Sequence, residues 1–465
     1  MVVTLGSRPR RTRLPALLIG IGVVVVGLGI ASQLRVGEAP ELRVTTEVPA
    51  IGPETSLTVV AAEPSRGVAH VQVRVRQGEL DRIVFDQRFP TQPAHAPWQA
   101  VPSDVELSIP VGARAVEGLS EGEATIMVEA YGAGTLLRSG PTTVESWTGP
   151  VLLVPPPLTD VTSNTWVAQG GSEAVVYTVG PTATRHGVRA GDVFFPGHRH
   201  DALGEGVAFA LFVVPHDMSD VEAVRLVAED LVGNRSESRF VDRFEPRPLK
   251  TDTIRITDRV MEAVVPDIMA RTSSLQDRGS LLANYLQING DLREQLAERL
   301  LEIGKETAPS FLWSKPFVQM PAKVVSAFAD RRTYLYDGEK VDQQDHLGFD
   351  LASVRHDEVP ASNDGRVVLA EYFGIYGNTI VLDHGYGLMT LYAHLSLMTV
   401  GVGDEVSRGQ TIGRTGATGL ALGDHLHFTT MLYGVPTTPI EWWDGHWIED
   451  RIASKLGAIL RFEDD

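Results

Sequence analysis

The 465-residue sequence predicts a mainly β chain of several domains, with one helical stretch before its last third. Three observations carry that reading. From about residue 40 to 245, stretches such as "SLTVVAAEP", "VAHVQVRVRQG" and "GEATIMVEAYGAG" alternate or run apolar over strand lengths, separated by Gly, Pro and Ser turns. From about Thr253 to Pro309 apolar residues recur every three or four positions with charges between, which is helical spacing. Beyond Pro309 short strand-like runs return, among them "NTIVLDHG", "LMTLYAHLS" and "LHFTTMLYG". At roughly 100–200 residues per domain the length has room for two to four domains, and an apolar content of 43% is ordinary for packed cores.

The β region is expected to form two sandwich domains, residues 40–150 and 151–248, with "VPPP" at 154–157 between them. The segment "EAVRLVAEDLVGN" lines up loosely with "EATIMVEAYGAG", as a second pass of one plan would. The "AEDLVGN" ending resembles bacterial immunoglobulin-like modules, which implies immunoglobulin-like β-sandwiches used for spacing or wall contact. Residues 249–310 are expected to be a helical linker, a spacer or packing surface. Residues 311–447 are expected to form the chemical domain, and 448–465 a C-terminal helix.

Composition removes several functions. The net charge of −18, without a dense Lys/Arg cluster beyond the first residues, argues against nucleic acid as a partner. With no cysteine, disulfides, thiolate-bound zinc and a Cys nucleophile are excluded, so any metal must use His, Asp or Glu. At the N-terminus, "SRPRRTR" precedes an uncharged stretch, Leu14–Leu34, long enough for a membrane-crossing helix of about 20 residues. Arginines before it and an acidic chain after it put residues 1–13 in the cytoplasm. The rest is then outside, on the periplasmic side of the inner membrane. A cleaved signal peptide competes, because "GIA" at 29–31 offers small residues to a peptidase. Either way the protein is exported.

Chemistry concentrates in the last third, where seven of the thirteen histidines fall between His346 and His446. "DHLGFD" supplies His346 and Asp350, "LYAHLS" supplies His394, and "GDHLHF" supplies His425 and His427. Residues two or four apart on a strand share a face, so His346 with Asp350, and His425 with His427, are expected to point the same way. Two imidazoles and a carboxylate are a ligand set for catalytic zinc, with a fourth position left for water that the metal acidifies. Further histidines near that water can relay protons. The similar "GHRHD" at 197–201 is expected to be a solvated loop, since His198 and His200 have no partner histidine nearby in sequence.

In order, "HLGFD", "GNTIVLDHGYGLMTLYAHLS" and "VGDEVSRGQTIGRTGATGLALGDHLHF" closely resemble the lysostaphin/LytM-type zinc metallopeptidases, exported enzymes that cut peptides of bacterial peptidoglycan. The resemblance covers about residues 321–440, including the lead-in "VVSAFADRR". It implies a small antiparallel β fold with zinc at the floor of a narrow cleft. It also implies metal ligands His346, Asp350 and His427, and a catalytic pair His394 and His425. His384 and His356 match no ligand of the family and are read as structural and exposed. The tryptophans of "TTPIEWWDGHW" are expected to cap the core. The expected function is a zinc endopeptidase acting on peptidoglycan peptides. A non-catalytic wall-binding regulator that activates an amidase is the rival, and such members of the family usually lack one or more metal residues.

Overall fold

The computed structural model describes residues 14–162 and 164–463, so the cytoplasmic tail expected over 1–13 lies outside the described residues. The architecture is mainly β. Two units are distinguished, Met1–Pro155 with Asp230–Asn234, and Pro156–Glu229 with Arg235–Asp465.

In the first unit Leu14–Gln33 forms a 20-residue helix, α1, whose described side chains begin at Leu17 and are largely exposed. Among the described residues no helix is long and apolar enough to cross a membrane, so the span expected over Leu14–Leu34 finds no support there. The rest of the unit is two antiparallel sheets. One runs Glu41–Thr46, Ser56–Ala62, Asp104–Pro110, and the other Leu80–Arg88, Val68–Gln77, Gly122–Gly132, Thr142–Val151. Strand alternation explains the core. In "VQVRV", Val71, Val73 and Val75 are buried and pack with Val59, Ile109, Ile126 and Val128.

The second unit opens with another pair of sheets, and their inner strands differ from those of the first. Ser172–Val179 and Val207–Val213 are buried along nearly their whole length, not at alternate positions. The near-continuous apolar run "VAFALFVV" is the sequence signature of a strand covered on both faces. One cover is the partner sheet, and the other is the C-terminal part of the chain. Phe209, Phe212 and Leu211 share one hydrophobic cluster with Tyr386, Leu432, Trp442, Ile448, Ile452 and Leu456. Polar contacts fasten the same surface. Ser172 donates to the Glu441 carboxylate through both its backbone N–H and its hydroxyl, Trp442 Nε1 donates to Ser172 Oγ, and Lys455 lies 2.9 Å from the fully buried Glu173 carboxylate. The second sandwich is therefore packed onto the residues that follow rather than held away from them as a spacer.

The main sheet of this unit has eight strands: β1 Lys323–Ser326, β2 Phe349–Ala352, β3 Gly365–Tyr372, β4 Asn378–Asp383, β5 Leu388–Leu395, β6 Glu405–Val406, β7 Leu426–Leu432 and β8 Val435–Thr437. Their order is β1-β2-β7-β5-β4-β3-β6, with β8 on β7, and all the pairings are antiparallel. The helical stretch covers one face. Helix α2, Asp258–Arg271, is capped by Thr257, and α3, Leu281–Gln287, by Ser280. A π-helical turn, Ile288–Leu292, leads into α4, Arg293–Lys305. Met261, Val264, Ile268, Leu292, Leu296 and Leu300 pack on Leu369, Val381, Met389, Leu391 and Met431 of the sheet. This amphipathic stretch is a packing surface, part of the core of the chemical domain. At the C-terminus helical turns end at Leu456, short of the helix expected to run to 465.

The "GHRHD" segment divides in two. His200 is exposed and caps the turn Asp201–Leu203, as a loop residue would. His198 instead belongs to a short strand paired with Val207–Val213, with its Nε2 2.6 Å from the Tyr433 hydroxyl and its ring against Tyr386 and Phe209. Strand pairing carries it into the packed interface, which the polar flanks do not reveal. Burial pushes His198 down to about 4, against about 6.5 for an unperturbed histidine. Between those values the unfolded chain binds more protons than the folded one. The stability contribution is therefore full above pH 6.5 and falls as pH drops toward 4. Thermal unfolding measured between pH 7 and pH 5 is expected to show this loss, and His198→Phe is expected to shrink it. An equal loss in the variant would count against the assignment.

Candidate metal centre and active site

Three chain segments bring the expected ligands together. His346 ends the strand Glu339–His346, Asp350 sits in β2 and His427 in β7. The expectation that His346 and Asp350 share one strand face is corrected here. The chain turns between them at Leu347–Gly348, and they converge from two strands. Gly348 permits this because a Cβ there would lie 2.6 Å from the His427 ring. Asp350 faces His427 directly across the β2–β7 ladder.

His346 Nε2, His427 Nδ1 and Asp350 Oδ1 each lie 3.0 Å from the other two. Four-coordinate zinc with bonds near 2.0–2.1 Å needs ligand atoms about 3.3 Å apart, close to this spacing. The outer contacts fix which nitrogen is free. His346 Nδ1 donates to the Ala327 carbonyl at 2.9 Å, leaving a lone pair on Nε2. His427 Nε2 donates to Thr429 Oγ1 at 3.1 Å, and that hydroxyl donates to the Leu347 carbonyl, leaving a lone pair on Nδ1. Burial pushes the Asp350 carboxyl up, but the surrounding His346, His425 and His427 outweigh it and hold the group far below the usual carboxylate range. Burial pushes His427 down to about 4, so its ring is neutral. Two neutral lone pairs and a carboxylate oxygen at 3.0 Å repel one another unless a cation lies between them, so these residues fit a metal ion.

The other two histidines flank the trio. His394 sits near the end of β5 with φ 61°, a left-handed backbone that costs a non-glycine residue about 1–3 kcal/mol. Its ring centroid is 4.8 Å from that of His425 and 5.8 Å from that of His427. Its Nδ1 donates to the Thr418 carbonyl at 2.8 Å, so Nε2 is free, and burial holds the ring neutral. His425 donates from Nδ1 to the Gly423 carbonyl, and its Nε2 lies 3.5 Å from Asp350 Oδ1. Burial opposes a charge on His425, but Asp350 outweighs it and raises the pKa above its ordinary value. Gly416, bridged to His425, has no room for a side chain, since a Cβ would lie 2.5 Å from Ser396 N.

Groups outside the expected set complete the site. Arg332 donates to Asp350 Oδ2 at 2.9 Å and to Ser326 Oγ at 2.8 Å, occupying the carboxylate oxygen that faces away from the trio. Asp330 Oδ2 accepts from Ser326 Oγ and Ala327 N, shaping the turn that offers the Ala327 carbonyl to His346. All four lie in "VVSAFADRR", but nothing in the string itself says which of them reach the site. His384 is fully buried between the Asp364 carbonyl and Thr390, and His356 is exposed. Trp442 is fully buried and Trp443 stacks on Phe428, one residue from His427. The trio, His394 and His425 line a cavity of about 380 Å³ whose far wall comes from residues 254–293.

Residues 344–439 match Peptidase family M23. The chain carries a Peptidase family M23 domain. Zinc is the metal that this family and this ligand set call for. The chain is similar to the peptidoglycan DD-endopeptidase ShyA of Vibrio cholerae, 27% identical over 223 residues, 48% of this chain and 47% of that protein. It is also similar to the DD-carboxypeptidase/endopeptidase Mpg of Neisseria meningitidis, 39% identical over 95 residues, 20% of this chain and 22% of that protein. The chain thus spans about half the length of the first of these curated relatives and less of the second. Among solved structures, the catalytic domain of lysostaphin from Staphylococcus simulans is 29% identical, covering 26% of this chain and 92% of that one at a TM-score of 0.23.

Arg332 orients Asp350 without being a ligand, so its removal acts through the carboxylate. Arg332→Met is expected to weaken zinc affinity about 10–100-fold while the folded chain persists. Titration of the metal-stripped protein against a competing chelator measures it. Unchanged affinity would show that Asp350 is held well enough by the sheet alone.

Proposed function

We propose that the protein is a zinc-dependent endopeptidase that hydrolyses peptide bonds in bacterial peptidoglycan. The observation that carries this reading is the convergence of His346, Asp350 and His427 at 3.0 Å, with their tautomers fixed by outer contacts, inside the M23-matched residues. The name of the ShyA relative supports the substrate class. Zinc bound at the trio would supply an acidified water and polarise the scissile carbonyl. The chain's own part is proton handling. His394, neutral and with Nε2 free, is suited to accept a proton, and His425, whose pKa is raised, is suited to donate one to the leaving amine. A non-catalytic regulator is not favoured, because all five site residues are present and in reach of one another.

Separating the roles tests this. His346→Ala, Asp350→Ala and His427→Ala are each expected to lose zinc and activity together. His394→Ala and His425→Ala are expected to keep zinc while turnover falls by about 10²–10⁴-fold. Zinc per protein is read by atomic emission beside digestion of purified sacculi by the full-length chain. Wild-type hydrolysis by all five variants would refute the peptidase reading, and loss of zinc from His425→Ala but not His427→Ala would reverse their roles.

We also propose that Leu14–Gln33 anchors the protein in the inner membrane with the M23 domain in the periplasm. The support is in the sequence alone: Leu14–Leu34 is an uncharged run of about the 20 residues a membrane-crossing helix needs, with arginines before it and an acidic chain after it. A reporter active only outside the cytoplasm, fused after Asp465, is expected to be active in membranes washed with salt. Activity of a cytoplasmic reporter there would overturn export, and a shortened soluble form would indicate cleavage.

A further inference from the structure

The metal cavity is not closed by the M23-matched residues alone. Its far wall is built from residues that precede them, Ile254, Ile256, Val260, Tyr285 and Arg293. The strand Thr251–Arg255 is carried there by parallel pairing with Asp330–Tyr336, whose hairpin partner ends in His346. Most of that wall is apolar or aromatic. Arg293 is the exception.

Arg293 is a cation held in place without a counter-ion. Its Nε donates to the Asn289 carbonyl at 3.0 Å and its Nη2 to Asn289 Oδ1 at 2.8 Å. Asn289 is fully buried, and its Nδ2 donates to Asp342 Oδ2 at 2.6 Å, so the amide is locked and cannot turn away. An i→i−3 backbone contact keeps the carbonyl available. The backbone N–H of Arg293 bonds to Gly290 O, leaving the Asn289 carbonyl to the side chain. Among the described residues no carboxylate lies within ion-pairing distance of Arg293. Arg332, the other arginine of the cavity, is already engaged by Asp350. Asp424, also in the wall, is occupied by Thr415 Oγ1 and the His356 backbone N–H. The unused edge of a pre-oriented guanidinium, in a cavity shared with five histidine and carboxylate groups of the site, suits a planar anion.

We propose that Arg293 is a specificity-determining residue that binds a free carboxylate on the peptide substrate. The assignment rests on the peptidase reading above and deepens it. The enzyme selects peptides that carry an unamidated carboxyl group at a fixed distance from the scissile bond, and the reading group lies outside the M23-matched residues.

The test compares a cross-linked muropeptide with the same muropeptide after its free carboxyl groups are converted to methylamides, using zinc-loaded full-length protein. Wild type is expected to prefer the carboxylate form by about 10-fold or more in kcat/KM, with the difference in KM. In Arg293→Gln the ratio is expected to fall below about 2-fold, and in Arg293→Lys to lie between, because the charge is kept and the fork lost. A wild-type ratio within about 2-fold, or an unchanged ratio in Arg293→Gln, overturns the assignment while leaving the peptidase reading intact. Cleavage of neither form by zinc-loaded wild type overturns both. The wild-type ratio needs no variant, so misfolding of Arg293→Gln would not shield the proposal.

Discussion

Two imidazole lone pairs and one carboxylate oxygen held 3.0 Å apart are an unfavourable arrangement in the absence of a cation, and much of the surrounding structure serves to maintain it. Strand register sets Asp350 opposite His427, and the absence of a side chain at Gly348 lets the His427 ring approach. The Ala327 carbonyl and Thr429 hydroxyl remove the choice of tautomer, and Arg332 removes the choice of carboxylate oxygen. Each is a small contribution, but together they prevent the three groups from relaxing into hydrogen bonds with one another.

The same constraint accounts for how much of the chain is built around the site. The strands that present the ligands are held on both faces: Met431, on the same face as His427, packs under the helices, and Leu426, Phe428 and Tyr392 pack on the opposite face. Helices α2 to α4 pack on the central strands β5 and β7, and the second sandwich packs beyond their edge through Tyr386, Leu432 and Trp442. Removing either cover would expose Met389, Leu391 and Met431, or Leu432 and Trp442, all fully buried. The M23-matched residues alone are therefore a poor guide to the folding unit. The helices also reach the cavity itself, so part of its wall lies on a segment the family match does not include.

The parts of this arrangement legible in the sequence were those with a period or a specific string. Strand alternation located strands of the first unit, helical spacing located α2 to α4, and "HLGFD", "YAHLS" and "GDHLHF" pointed to five residues that the fold brings to one cavity, while the division of their roles rests on the family resemblance. What stayed hidden depends on non-local packing. The continuous apolar run of Val207–Val213 marks a strand buried on both faces, but only the fold shows that the second cover is the C-terminal segment. His198 sits between polar neighbours and is half-buried by Tyr386 and Tyr433, far along the chain. Arg332 and Arg293 look like ordinary exposed arginines in sequence, because a cation's significance comes from what lies opposite it. The face argument for His346 and Asp350 reached the right pair through the wrong geometry, since a turn rather than strand alternation brings them together.

The central claim is that His346 Nε2, Asp350 Oδ1 and His427 Nδ1 hold one metal ion and leave one position open. Zinc-edge X-ray absorption of the purified, zinc-loaded full-length chain measures this directly. The account predicts a four-coordinate site with two imidazole nitrogens and two oxygens, one from Asp350 and one from water, at about 2.0–2.2 Å. A site with three or more imidazoles, or a six-coordinate shell of oxygens, would contradict it.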